Sequence, residues 1–382
     1  IDCEATGLYP YKDDKLFSIA VSNGFQTYYF NFIDYPNLDP DYVLEFEDFC
    51  KLDFIYYEKH WVLHNAKFDM ALLARERIFL EGKIHDTMVI QRLIKNDDLK
   101  YSLDVVAKTY GYEKLDVVEE YIAEHHLWEW ETIPGKKNRK KKKFYNLVPF
   151  SIVSEYAMND VEVTFMVHAA QGEQLLKINE SYAPGFSIMD TVGLESTLTN
   201  VVFHVERAGV QIDREYCERK IRDNLARSAG FAERYQGCTG LAFVDSNKRH
   251  AEAFAGKGLA YPKTEKGNPS FTDDVLRAVI ADDRGGGKEI AESILGFREC
   301  NKRASTFFSS FVHYSDSKGV VHPNLKQSGT ASGRFSCSDP NLQQVPKTDE
   351  ANEESKEVKR AFIPRPDFCF VELDYNALEY RL

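Results

Sequence analysis

A chain of 382 residues exceeds what one small module needs and, at about 150 residues per domain, points to two or three packed units. Apolar residues make up 43% and charged residues 28%, a globular composition, and no stretch approaches the roughly 20 uninterrupted apolar residues of a membrane span. Lys plus Arg total 48 against 60 Asp plus Glu; the net charge of −12 argues against a non-specific coat on nucleic acid or anionic membrane and leaves local basic patches open.

Seven scattered cysteines, with no Cys-x-x-Cys pair, signal neither a zinc site nor a disulfide framework and fit a reducing compartment, the cytoplasm or alternatively an organelle. No initiator Met or targeting segment precedes Ile1, and Tyr375 to Leu382 form an amphipathic stretch without a cap, so both ends read as cut.

In chain order, LFSIAVS and TYYFNFI within residues 15–33 predict two strands joined by a hairpin turn at Asn23-Gly24. Trp61-Val62-Leu63 predicts a short strand leading into the helical run AKFDMALLARERI, and Asp86-Thr87 opens a second helix, MVIQRLI. Strand alternating with helix indicates α/β architecture. Residues 102–124 keep a helical pattern, and one long helix is expected from Ser151 to about residue 180, just after Pro149. Residues 125–148, with seven Lys or Arg among 136–143, predict an exposed loop, either a solvated insertion or an electrostatic guide for DNA backbone.

After a boundary near Pro184-Gly185, helices are expected at about 190–208, 214–236, 272–282 and 288–314, with a loop over 256–269 and no internal repeat. From Gly319 a turn-rich region leads to FCFVELDY, which reads as a buried strand. The expected domains are therefore 1–182, 183–318 and 319–382.

Three acidic motifs stand out. Asp2-x-Glu4 on a strand puts two carboxylates on one face, where like charges need a cation. Asn65, Phe68 and Asp69 share a helix face by i, i+3, i+4 spacing, and Tyr156 and Asp160 lie one helical turn apart. Singly each motif has a bland explanation: chance, a helix cap, an amphipathic face. Together, four carboxylates and a tyrosine fit two-metal hydrolysis at phosphorus with Mg²⁺ or Mn²⁺.

In these motifs residues 1–170 resemble the proofreading 3′–5′ exonucleases of the DnaQ-like, ribonuclease-H-like superfamily. That resemblance implies that Asp2, Glu4, Asp69 and Asp160 hold two metal ions, that Tyr156 orients the attacking water, and that Leu8, Asn65 and Phe68 grip the terminal nucleotides. Ala5 stands where the family has Thr.

The segments GTASGRFSCSDPNLQQVP (329–346) and VELDYNALEYRL (371–382) closely resemble the start of the polymerase module in family A DNA polymerases. By that resemblance Arg334, Asn341 and Gln343 contact primer-template, Asp374 of motif A binds two catalytic Mg²⁺ ions, and Glu379 selects the deoxyribose. Gly209 to Asp213, Pro262-Lys263-Thr264 and the row Arg298, Lys302, Thr306 also match, the last lining one helix face where donors could follow a phosphate backbone.

The implied fold is an α/β ribonuclease-H-like exonuclease domain, a mainly helical thumb and the start of an α+β palm. The family's fingers helix and its second metal-binding Asp, in a His-Asp-Glu element, do not occur in this sequence. Nuclease without polymerase activity is therefore expected of the chain, within a parent that performs template-directed synthesis. The implied partners are DNA primer-template, single-stranded 3′ ends and, in the parent, deoxynucleotides; a membrane is not among them, and the sequence names no processivity factor. The alternatives are a stand-alone exonuclease whose C-terminal half holds DNA, and a non-enzymatic DNA-binding relative, whose signature would be lost carboxylates.

Overall fold

The β-branched and aromatic runs form the strands expected of them. In the computed structural model, which describes residues 1–35, 43–98, 100–136, 138–183, 185–282, 287–327, 329–346 and 353–377, strands β1 (Asp2–Ala5), β2 (Leu16–Ser22) and β3 (Thr27–Asn31) make an antiparallel sheet. Asn23 closes the β2–β3 turn, its side-chain oxygen accepting the N–H groups of Phe25 and Gln26 at 2.9 and 2.8 Å, while Gly24 takes φ +84°.

Short helical turns α1 (Phe46–Phe49) and α2 (Phe54–Tyr57) precede β4 (His60–Leu63), α3 (Ala66–Arg75) and β5 (Lys83–Asp86); β4 and β5 pair in parallel, which requires the α3 crossover. The Ile1 amino group donates to Val62 O at 3.1 Å and so sets the start of β1 beside β4. Asp86 fixes the entry to two helices at once: its carboxylate accepts from Asn65 N and Ala66 N at the head of α3 and from Met88 N at the head of α4 (Thr87–Ile94).

The helical pattern over 102–124 divides into α5 (Leu103–Thr109) and α6 (Val117–Glu124), because Gly111 turns at φ +79° and Tyr112 N–H bonds back to Ala107 O. A larger correction concerns 125–148. Trp128–Glu131 (β6) and Lys140–Lys143 (β7) pair as an antiparallel hairpin, since Trp and Glu on one strand give the cationic strand cross-strand partners. The long helix α7 (Phe150–Glu180) follows Pro149 as expected, then α8 (Ile188–Ala208).

The chain divides into two compact units. The first comprises Ile1–Thr132, Arg139–Gly209 and Asp316–Gln344. Its sheet is packed on both faces: Cys3, Ala5 and Ile19 join Met70 and Leu73 of α3 in one core, while Phe17 and Ala20 join Val153 and Ala157 of α7 in another.

The second unit comprises Ile133–Asn138, Val210–Ser315 and Val345–Leu382. It contains α9 (Arg214–Thr239), α10 (Asn247–Gly256), α11 (Asp273–Asp282), α12 (Lys288–Lys302) and α13 (Ser309–Tyr314), followed by α14 (Glu353–Lys359). Tyr235, Phe254, Phe271 and Ile294 form its core. A π-helical stretch, Arg303–Phe308, separates α12 from α13. It widens the turn beyond Lys302, so the four-residue spacing of Arg298, Lys302 and Thr306 does not trace one continuous α-helical face.

FCFVELDY does not form the buried strand expected of it. Phe368 is 74% and Leu373 90% exposed, and no strand among the described residues pairs with this stretch. Without a partner ladder an extended backbone leaves its N–H and C=O groups to water, and the apolar pattern alone does not hold a strand. No described helix is long and apolar enough to cross a membrane.

Candidate active site

Asp2 and Glu4 alternate with Cys3 and Ala5 along β1, and they face α7 because Cys3 and Ala5 are in the core against α3. On α7, Tyr156 and Asp160 are buried one turn apart. One carboxylate oxygen from each of Asp2, Glu4 and Asp160 lies within 4.8 Å of the others, the one such group among the described residues. Asp69 of α3 is just outside this trio; it is 2% exposed and its Oδ1 accepts the backbone N–H of Cys3 at 2.9 Å.

Such crowding is electrostatically costly, and the acidities record it. Burial, then the charges of Asp2 and Asp160, holds Glu4 well above the ordinary carboxylate range, and burial followed by Asp2 does the same for Asp69. Burial raises Asp2 and pushes Asp160 up to about 7, in both cases against the pull of Lys114.

Lys114 is the site residue that sequence reasoning missed. Its ammonium forms an ion pair with Asp160, donates to Tyr156 OH at 2.9 Å and lies 4.3 Å from the centre of the Tyr156 ring. The loop carrying it is pinned to α7 by Asn159, whose Oδ1 accepts Leu115 N–H at 3.0 Å. A cluster of buried carboxylates signals that some cation must answer it; nothing in the local sequence says that this loop lysine does.

Even with Lys114 in place, Asp160 Oδ1 is buried without a hydrogen-bond partner. An all-oxygen donor set with an orphaned buried oxygen fits a divalent cation.

A cleft of about 200 Å³ runs beside Glu4, lined by Leu8, Phe68, the β7 lysines and Tyr145. Leu8 is held there by a tight loop in which Asp14 accepts Tyr9 N–H at 2.8 Å and a Cβ on Gly7 would come within 2.4 Å of the same carboxylate. Asn65 is elsewhere: it caps α3 in the left-handed conformation, φ +65°, and is exposed rather than lining the cleft.

The residues matched to a polymerase are dispersed by comparison. In the first unit, Ser336–Ser338 pairs with Asn324–Lys326; Arg334 stands just before this strand, and past it Asn341 Oδ1 accepts Gln343 N–H at 3.1 Å. In the second, Arg298 is engaged by Asp245 Oδ1 at 2.7 Å and Phe271 O at 2.6 Å. Hydrogen bonds from His250 and then Arg298 hold the Asp245 carboxyl down at about 2. Lys302 is exposed, and the backbone at Thr306 packs against Gly135, where a Cβ would approach to 3.2 Å. Asp374 is exposed on its non-strand segment, and Glu379 lies outside the described residues.

Residues 1–175 match the family model described as 3′-5′ exonuclease, and residues 216–382 match that described as DNA polymerase family A. The C-terminal segment is thus similar to family A DNA polymerases and the N-terminal segment to 3′-5′ exonucleases. Among its relatives, DNA polymerase DpoZ of Salmonella phage PMBT28 is 26% identical over 411 residues, covering 100% of this chain and 60% of the relative. DNA polymerase I of Treponema pallidum is 25% identical over 322 residues, covering 83% of this chain and 29% of the relative. DNA polymerase I of Chloroflexus aurantiacus is 28% identical, with 84% and 32% covered. The chain thus spans 60% of the phage polymerase and about a third of the bacterial ones. In fold it resembles the POL domain of Pol1 from M. smegmatis, solved in complex with DNA primer-template and dNTP, with a TM-score of 0.67 at 18% identity over 96% of this chain and 55% of that one. The polymerase-family match over the C-terminal half speaks against a stand-alone nuclease.

Proposed function

We propose that the chain shortens DNA from its 3′ end at the Asp2, Glu4, Asp160 cluster, and that it serves a protein that copies DNA on a template and edits its own errors. The observation that carries this reading is the meeting of three carboxylates from β1 and α7 within 4.8 Å. The backbone sequence of strands, β3 to β2 to β1 and then across the Ile1–Val62 bond to β4 and β5, supports a ribonuclease-H-like fold for the nuclease segment, 1–182. Residues 183–318 and 319–382 we assign to the thumb region and the opening of the palm.

Asp2, Glu4, Asp69 and Asp160 would hold two divalent ions, and their hard oxygens suit Mg²⁺ or Mn²⁺. Bound there, such ions supply charge neutralisation on the phosphate and a more acidic water. Tyr156 would orient that water through its hydroxyl, which accepts a hydrogen bond from Lys114. Leu8 and Phe68 would hold the terminal nucleotide against the cleft wall, with Asn65 at the head of α3 as a further contact.

Arg298, Lys302, Thr306, Arg334, Asn341 and Gln343 would meet primer-template, Asp374 would bind the polymerase metals and Glu379 would select the sugar in the whole protein. By itself this chain should shorten and not extend a primer, since Asp374 has no carboxylate cluster around it among the described residues. A 5′-labelled single-stranded oligonucleotide in Mg²⁺ tests the nuclease. A descending ladder that Asp2→Ala abolishes supports the assignment, whereas internal cutting, or an unaltered ladder in the variant, contradicts it.

A further inference from the structure

The nuclease assignment leaves the β6–β7 hairpin unused. Its register pairs Trp128 with Lys143, Glu129 with Lys142, Trp130 with Lys141 and Glu131 with Lys140. Residues directly opposite in an antiparallel pair share a face, so Trp128, Trp130, Lys141 and Lys143 form one face and Glu129, Glu131, Lys140 and Lys142 the other. Charge on the first face is committed: Lys143 pairs with Glu119, and the Lys141 ammonium lies 3.8 Å from the centre of the Trp128 ring. On the second, Lys140 and Lys142 enter no ion pair among the described residues, although two glutamates stand opposite them.

Both lysines line the cleft that reaches Glu4, as do the apolar Leu8 and Phe68. Ammonium groups and apolar side chains lining one cleft match the two parts of a nucleotide, its phosphate and its base. At about 200 Å³ the cleft is below the roughly 300–1,000 Å³ of a small-molecule pocket and suits one extended strand rather than a duplex. A guide is also what the site lacks, because its clustered carboxylates repel an approaching phosphate backbone.

We propose that the hairpin is a strand guide, with Lys140 and Lys142 holding phosphates of single-stranded DNA while its 3′ end enters the cleft beside Glu4. This rests on the nuclease reading and adds the path of its substrate.

The test measures binding of a fluorescent oligothymidylate of about 12 nucleotides in EDTA between about 50 and 200 mM salt. It compares the unsubstituted chain, Lys140→Gln/Lys142→Gln, and a charge-matched control, Lys83→Gln/Lys100→Gln. Each neutralised phosphate contributes about 0.7 to the slope of log affinity against log salt, so the hairpin variant should be shallower by about 1.4 and the control unchanged. In Mg²⁺, its KM for the long oligonucleotide relative to one of about 4 nucleotides should rise. A hairpin variant with the control's slope overturns the guide. Failure of the underlying reading looks different: the unsubstituted chain then shortens neither oligonucleotide, and the guide falls with it whatever the slope.

Discussion

Two carboxylate motifs of this chain sit on hydrophobic runs and meet opposite fates. Asp2 and Glu4 lie on a four-residue strand that is paired on β2, packed on α3 and faced by α7, so their charges are crowded, desolvated and answered by Lys114. Asp374 follows a longer apolar run, yet Phe368 and Leu373 are 74% and 90% exposed and no carboxylate cluster forms around it among the described residues. Motif identity is therefore not a site. Carboxylates cluster when elements distant in sequence crowd them together, and Asp2, Glu4 and Asp160 have those elements within residues 1–180 of the chain.

Asp2→Ala should reduce 3′ shortening by about a thousandfold or more, since a charge-stabilising group is removed from the reacting centre, while Asp374→Ala leaves shortening unchanged. Timed gels on one labelled strand check both, and loss of shortening in Asp374→Ala would break the contrast. Lys114→Met leaves Asp160 buried without its cation. It should cost about 3–5 kcal/mol in denaturant unfolding in EDTA, and less in Mg²⁺ if a divalent ion takes over the compensation.

The acidity of Asp160 gives a third expectation. Its folded-state pKa of about 7 lies above the ordinary carboxylate value, so its contribution to stability is full at acid pH and is lost as pH rises through about 7. Thermal melts in EDTA should fall in Tm across that window, and Mg²⁺ should flatten the fall; a Tm that rises over the same range contradicts it. Smallest is a packing contrast: Leu63→Ala, in the β4 core, should cost about 2–5 kcal/mol, against no more than about 0.5 kcal/mol for the exposed Leu373→Ala.

Much of residues 1–180 was legible in the sequence. β-Branched and aromatic runs and the Asn23-Gly24 turn located β2 and β3, and the i, i+4 pair on α7 placed Tyr156 with Asp160. What escaped reading depended on partners remote in sequence. The β6–β7 hairpin was hidden because a run of lysines has no strand signal until Trp128 and Trp130 stand opposite it. Lys114 was hidden because its role comes from Asn159, which draws its loop onto α7 across 44 residues. FCFVELDY misled for the converse reason: its pattern is that of a buried strand, and pattern does not supply the neighbouring strands.

The most direct test uses a 5′-labelled primer-template with a mismatched 3′ end in Mg²⁺, with and without the four deoxynucleotides, for the unsubstituted chain, Asp2→Ala and Asp374→Ala. The account predicts shortening by the unsubstituted chain and by Asp374→Ala, none by Asp2→Ala, and no extension by any of the three. Shortening that persists in Asp2→Ala, or that disappears in Asp374→Ala, would contradict it.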